Sequence, residues 1–332
     1  MAAALIAQRG VSTLVIVPSR TLVDQWRTRL AAFLDVPPQS IGTITGGRRK
    51  PSGTIDIATI QSLTRGGQVD DAVLGYGFVV VDECHHVPAV STEQVLRSIP
   101  ARYVLGLTAT LQRRDGHQPI IRMQCGPTRH TIRTRPDLAL GVVRRETATS
   151  SGTLSADAGI QELYRVLAED EPRNELIVRD TLDAIDEGRC PLVLTGRRDH
   201  LDRLEAMLAP HVQSMAVLHG GLRPAERRAA IAALTASDGP TLILATGRYL
   251  GEGFDHPQLD TLLLALPIAW KGTLTQYAGR LHRPSDGKTD ARIYDYVDVA
   301  IPVLERMYAK RERTYRALGY RVDAEPRALT IV

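Results

Sequence analysis

The sequence predicts an α/β protein made of two parallel-sheet domains in tandem. Three observations carry that prediction. Short apolar runs alternate with amphipathic helical stretches, the alternation restarts after Ala148, and the polar residues that interrupt it fall just beyond the apolar runs. Strands separated by helices pair in parallel and are covered on both faces, which is why they read as unbroken apolar runs.

In order, Leu14–Val17 is the first expected strand and Thr21–Leu34 an amphipathic helix leading to the strand Ile55–Ala58. Phe78–Val81 and Tyr103–Leu107 complete the first set. The second set contains Leu192–Thr195, Met215–Leu218, Thr241–Ala245, Thr261–Leu266 and Ile293–Val297, with helices near Leu201–Leu208, Pro224–Leu234 and Leu274–Leu281. Ser150-Ser-Gly-Thr-Leu-Ser155 is small, polar and weakly patterned, as a linker is. The expected organisation is a first domain over 1–148, a linker over 149–156, a second domain over 157–300 and a helical C-terminal tail over 301–332.

Composition narrows the class. The 332 residues are 43% apolar and 23% charged, values of a globular chain. No apolar run approaches the ~20 residues that span a bilayer, and Met1–Ala7 lacks the basic start of a secretory leader. Cys84, Cys125 and Cys190 are too few and too scattered for a disulfide framework. A reduced, cytoplasmic setting is the expectation. The net charge of +4 is mild, but eight arginines fall between Arg113 and Arg145, and a second basic stretch runs from Arg306 to Arg327. Such stretches suit phosphates or a merely solvated surface.

Ligands of parallel α/β sheets sit beyond the carboxyl ends of the strands. Asp82 and Glu83 follow Phe78–Val81, Thr108 and Thr110 follow Tyr103–Leu107, and Thr246 follows Thr241–Ala245. In Phe78-Val-Val-Val-Asp-Glu-Cys-His-His-Val-Pro88, a zinc site is disfavoured, because Cys84, His85 and His86 are consecutive and diverge. Two readings stay open: carboxylates that cap the next element, or a pair that holds Mg²⁺ and activates water beside a phosphate. Gln276, Arg280 and Arg283 are spaced four and three residues apart, which places them on one face of the helix implied by Leu274–Leu281. Paired guanidiniums suit a phosphate; a salt-bridged helix or a nucleic-acid contact are the other readings. Trp26 is expected in the core.

Taken together, these stretches resemble the superfamily-two helicases of the DEAD/DEAH type, in the group of type III restriction subunits and phage-type helicases. Asp82-Glu-Cys-His85 resembles their acidic box, and Leu107-Thr-Ala-Thr110 the segment coupling the ATP site to the strand. Val17-Pro-Ser-Arg-Thr-Leu-Val-Asp-Gln-Trp26 and Ala58-Thr-Ile-Gln-Ser-Leu63 resemble strand-contacting motifs. His219-Gly-Gly221, Thr246 with Gly251-Glu-Gly-Phe-Asp255, and Gln276-Tyr-Ala-Gly-Arg-Leu-His-Arg283 resemble three second-domain motifs, in the family's order.

The resemblance implies two RecA-like domains using ATP and Mg²⁺. Asp82 would hold the metal, Glu83 would activate water, and Arg280 and Arg283, with Gln276, would reach across an interdomain cleft to the γ-phosphate. Gly253 and Asp255 would meet the nucleotide. Ser19, Arg20, Gln25, Thr59, Gln61, Gly196, Arg197, Gly220, Gly221 and Thr246 would contact a nucleic-acid backbone, DNA in preference to RNA. His85, Thr108 and Thr110 would couple the two activities.

One part is missing. The family's phosphate loop, G-x-x-x-x-G-K-[ST], occurs nowhere in the 332 residues in a suitable place. Lys50 lacks the motif, and Asp286-Gly-Lys-Thr289 follows a helix and precedes a strand, the reverse of the required order, so it reads as a turn. Ala2–Gln8 resembles the helix that follows that loop. The expectation is therefore an N-terminally truncated motor, its first strand absent with the loop and its ATPase close to nil. The competing expectation is a nucleotide-independent nucleic-acid-binding module derived from a motor. Leu111 stands where the family usually has proline, and Gly116–Gly126 resembles phage and mobile-element versions.

Overall fold

The computed structural model describes residues 1–322 apart from 66, 88–89, 110–117, 132–137, 148, 150–158, 237–238, 248–255 and 269–270. The chain divides into two units, Met1–Arg133 and Thr134–Val332.

The first unit runs α1 (Ala2–Arg9), β1 (Thr13–Val17), α2 (Arg20–Leu34), β2 (Gly42–Thr45), β3 (Arg48–Lys50), β4 (Ile55–Thr59), β5 (Thr64–Arg65), β6 (Gln68–Val69), β7 (Phe78–Val81), α3 (Val90–Ser98), β8 (Tyr103–Gly106) and α4 (Gln118–Cys125). Six strands form one sheet in the order β3-β2-β4-β1-β7-β8, parallel except for the β2–β3 hairpin. Alternate residues feed two cores, as the period of two in a strand requires. Val15, Val17, Ile57, Phe78 and Val80 pack on Ile6, Val23 and Leu30 of α1 and α2. Leu14, Ile16, Ala58, Val79 and Val81 pack on Val95 and Ile121 of α3 and α4. Gly42 has no alternative, since a Cβ there would lie 1.8 Å from the carboxylate of Asp56. That buried carboxylate accepts from Ser52 N, Gly53 N and the Tyr76 hydroxyl, which ties the β3–β4 loop to the sheet.

The second unit runs β9 (Ala139–Thr147), α5 (Ile160–Glu169), α6 (Glu171–Asp186), β10 (Pro191–Thr195), α7 (Arg198–Leu208), β11 (Met215–Leu218), α8 (Pro224–Ala236), β12 (Leu242–Thr246), β13 (Thr261–Leu264), α9 (Lys271–Leu281), β14 (Asp290–Asp298), α10 (Pro302–Ala317) and β15 (Arg321–Val322). Its sheet is seven-stranded, in the order β11-β12-β10-β13-β14-β9-β15. Leu192, Leu194, Ile243, Leu262 and Leu264 face α8 and α9. Val193, Leu242, Leu244 and Leu263 face Ile177 of α6 and Leu201, Leu204 and Leu208 of α7. Both sheets are thus parallel, the β2–β3 hairpin apart, and helix-covered on two faces, which is the α/β class read from the sequence.

Two sequence readings change. Residues 139–147 pair along their whole length with β14 and so lie in the second sheet, short of the boundary expected at 148. The stretch over 301–332 is no appended tail in its described part: Arg311 of α10 binds the buried Asp295 of β14 at 2.7 and 2.8 Å, Tyr315 donates to the same carboxylate, and β15 extends the sheet beside β9. Some of the described arginines of the two basic stretches are held by carboxylates in the same way. Arg145 is bound by Asp180, Arg144 by Glu146 and Arg316 by Glu312. Among the described residues, no helix is long and apolar enough to cross a membrane.

Candidate functional site

In the first unit the site grows from the end of β7. The parallel ladder runs past the strand, with Asp82 N donating to Ile16 O at 2.9 Å and Leu107 N to Val81 O at 2.9 Å. Glu83 then takes the left-handed conformation, φ 49° and ψ 48°, which a residue with a Cβ seldom adopts. That turn throws Cys84 back toward the sheet, where its N–H meets Leu107 O at 2.8 Å. Strain of this kind, of order 1–3 kcal/mol, gathers at functional sites.

The turn orients both carboxylates. Asp82 accepts from Glu83 N through Oδ1 at 3.0 Å and from the indole N–H of Trp26 through Oδ2 at 2.7 Å. Glu83 Oε2 is buried and accepts no protein hydrogen bond, although His85 Nδ1 lies 3.2 Å away. His85 Nδ1 shares a hydrogen bond with Thr108 Oγ1 at 3.0 Å, so the acidic segment is joined to the segment after β8. A groove of about 330 Å³ opens on Asp82, lined by Met1, Ala2, Gln25, Trp26, Phe33 and Leu107 among others.

A metal cage is not built here. Among the described residues, no group of three or more His, Cys, Asp or Glu side chains could hold a metal ion. A single oriented carboxylate still fits Mg²⁺, which keeps several waters and takes one or two carboxylates with phosphate oxygens. The orphaned Oε2 of Glu83 fits the same picture, as an acceptor left for a water.

The expected strand contacts of this unit divide. Arg20 is exposed, with its guanidinium 3.1 Å from where a Cβ of Gly46 would stand, and Gln61 is exposed. Thr59 is buried and its hydroxyl pairs with Ser62 Oγ at 2.7 Å. Ser19 precedes α2 as its N-cap, yet its hydroxyl caps nothing and is buried. Gln25 lines the Asp82 groove instead. Thr110 lies outside the described residues.

In the second unit, glycines after β10 and β11 meet the end of β12. Gly196, Gly220, Gly221, Thr246 and Gly247 line a groove of about 550 Å³ together with Arg198 and His219. Gly221 N donates to His219 Nδ1 at 3.0 Å, and partial burial lowers the pKa of that imidazole. Arg197 is not among the lining residues; it ion-pairs with Asp199 at 2.5 Å and stands as the N-cap of α7. Arg198 was missed from the sequence because adjacent arginines before a helix give no sign of which one faces the groove.

Gln276 and Arg280 lie on α9, but the helix ends at Leu281 and Arg283 belongs to the turn beyond it. The three-residue relation survives, since Arg283 N donates to Arg280 O at 3.3 Å. The Tyr277 hydroxyl of α9 donates to the Gly247 carbonyl, which joins this helix to the glycine groove, and burial raises the pKa of that phenol to about 12. Lys288 donates to the carbonyls of Pro257, Leu259 and Arg283 at 3.3, 2.5 and 3.1 Å, so Asp286–Thr289 is a turn clamped to its own main chain. Gly253 and Asp255 lie outside the described residues.

Comparison with known proteins agrees with this architecture. Residues 1–113 match the family described as type III restriction enzyme, res subunit, and residues 174–285 match the helicase conserved C-terminal domain. A Mycobacterium tuberculosis protein named DNA 3'-5' helicase XPB is 28% identical over 340 residues, covering 96% of this chain and 58% of that protein. A protein of Escherichia phage T5 named as a helicase is 24% identical over 303 residues, covering 90% of this chain and 64% of its own length. The chain therefore spans less than two thirds of these relatives. The solved structure of S. cerevisiae Dbp5 bound to RNA and ADP BeF3 has the same fold, with a TM-score of 0.63 and 14% identity over 97% of this chain and 80% of that one. Two parallel α/β units with acidic and glycine-rich strand ends define a tandem RecA-like architecture. The chain belongs to the superfamily-two helicases.

Proposed function

We propose that the chain is the core of an ATP-dependent helicase or translocase that acts on nucleic acid, with DNA favoured over RNA. The observation that carries this reading is the His85–Thr108 hydrogen bond at 3.0 Å, which joins the acidic pair after β7 to the segment after β8. A metal cap or a simple helix cap has no need of such a link. A motor needs one, because a change at the nucleotide must reach the strand.

In this reading Asp82, already oriented by Trp26 and its own neighbour's N–H, would hold Mg²⁺. The ion, when bound, offsets phosphate charge. Glu83 would present to the attacking water the oxygen that accepts no protein hydrogen bond. By the family resemblance, Gln276, Arg280 and Arg283 would meet the phosphates, and Asp255 and Gly253 the rest of the nucleotide. Such guanidiniums are worth roughly 10³–10⁵ in rate in this chemistry. The groove at Gly196, Gly220, Gly221 and Thr246 offers backbone amides and a hydroxyl to a nucleic-acid backbone, contacts that position without reading sequence. The DNA preference rests on the relative named as a DNA helicase.

The 332 residues contain no phosphate loop, so this polypeptide alone is expected to turn over ATP at close to the background rate. Its binding to a single-stranded oligonucleotide should nonetheless fall steeply with salt and shift when millimolar ATP–Mg²⁺ is added, with that shift lost in Arg280→Ala. Binding that ignores ATP–Mg²⁺ would favour the nucleotide-independent module instead.

A further inference from the structure

Three thiols are present, and two of them meet. Cys84 opens the 3-10 turn after Glu83 and is buried, 3% exposed. Cys125 is the last residue of α4 and half-buried, at a helix end closed by Gly126 with φ 80°. Chain positions 84 and 125 are far apart, yet the two side chains pack in one core and their sulfurs converge beside one glycine. Gly106 of β8 makes the meeting possible. A Cβ on Gly106 would stand 3.0 Å from Cys84 Sγ and 3.1 Å from Cys125 Sγ, so the bare glycine leaves the room both sulfurs occupy. Cys190 is buried in the other unit.

We propose that Cys84 and Cys125 form an oxidation site for peroxides, closing to a disulfide that ties the acidic turn to helix α4. Cys125, the less buried of the two, is assigned as the sulfur that meets the peroxide. It attacks the O–O bond, takes one oxygen as S–OH and releases water or an alcohol. Cys84 sulfur then attacks Cys125 sulfur, the S–S bond forms, and hydroxide leaves with the thiol proton as water. The two thiols supply the two electrons that reduce the peroxide. Disulfide geometry demands Cβ atoms about 3.5–4.5 Å apart, and a shared glycine platform is a way to bring them there. The bond would fix Cys84, one residue from Glu83 and one from His85. The site stands whatever reaction those two residues serve.

The test uses the 332-residue protein and hydrogen peroxide at neutral pH. After treatment, free thiols are alkylated under denaturing conditions and the peptides are mapped by mass spectrometry. The expected product is a chain lighter by two hydrogens, with one bond between the Cys84 and Cys125 peptides, an alkylated Cys190, and full reversal by a thiol reductant. In Cys125→Ser, checked for folding by circular dichroism, no internal disulfide forms. Three thiols still alkylated after peroxide, oxidation of Cys125 that stops at the acid, or a bond that uses Cys190 or a second chain would each overturn the proposal, and none would touch the ATP reading.

Discussion

Trp26 donates its indole N–H to the carboxylate of Asp82 across 2.7 Å, which fastens helix α2 to the end of β7. An indole in that position senses whatever else the carboxylate binds. Mg²⁺ titration should therefore change the intrinsic fluorescence of the protein, and Trp26→Phe should abolish the change although Trp270 remains. Asp82→Asn should abolish it too. A titration that leaves emission flat in the native chain rules out Asp82 as the metal's carboxylate.

Tyr277 links helix α9 to the Gly247 carbonyl at the edge of the glycine groove. Tyr277→Phe keeps the buried ring and deletes the hydroxyl, leaving one carbonyl without its donor. A hydrogen bond of this kind is worth about 1 kcal/mol, so oligonucleotide affinity should drop about fivefold with an unchanged salt slope. Affinity equal to the native value would show that the groove keeps its shape unaided.

His200 of α7 is buried, sharing hydrogen bonds with Thr195 Oγ1 at 3.0 Å and Asn174 Oδ1 at 2.8 Å. Burial, helped by the nearby Arg173 charge, lowers its pKa from 6.5 to about 3. The unfolded chain thus binds the proton first. The stabilisation is whole above pH 6.5 and is lost as pH falls toward about 3, by up to about 1.4 kcal/mol per pH unit. Melting curves at pH 7 and pH 5 should show a smaller acid-induced drop for His200→Gln than for the native chain. Parallel drops would mean that other groups set the acid sensitivity.

Arg173 is the guanidinium at the centre of the second unit. It reaches Asp298 and Thr147 at 3.3 Å and the Ala265 carbonyl at 3.0 Å, fully buried, and lies over the ring of Tyr296. Arg173→Met strands the Asp298 carboxylate in the core, at a cost of about 3–5 kcal/mol. Adding Asp298→Asn should recover a good part of that loss in urea unfolding. A double variant no better than the single one would locate the loss in packing instead of charge.

These residues also show what can be read from a sequence. Phe78–Val81 and Leu242–Ala245 announce themselves because a strand buried on both faces has no polar position. The acidic pair stands out for the converse reason, as charge that follows such a run at once. β9 was illegible. Its apolar core, Leu140–Val143, is broken by Gly141 and followed by Arg144, Arg145 and Glu146, and nothing local reveals that Asp180 waits across the fold for Arg145. Trp26, expected in the core, packs against it partly buried, and its polar edge, which the sequence does not orient, reaches Asp82. Arg283 kept its expected distance from Arg280 but not its helix, since a turn of three residues preserves the spacing after the helix has stopped.

Lys288 carries a last lesson. An ammonium has three protons to give, and here three main-chain oxygens receive them. The Gly-Lys-Thr triplet around it is spelled like a nucleotide cradle yet behaves as a knot in the backbone. An acyl-phosphate nucleotide probe, which marks lysines that lie beside bound phosphates, should pass this amine by.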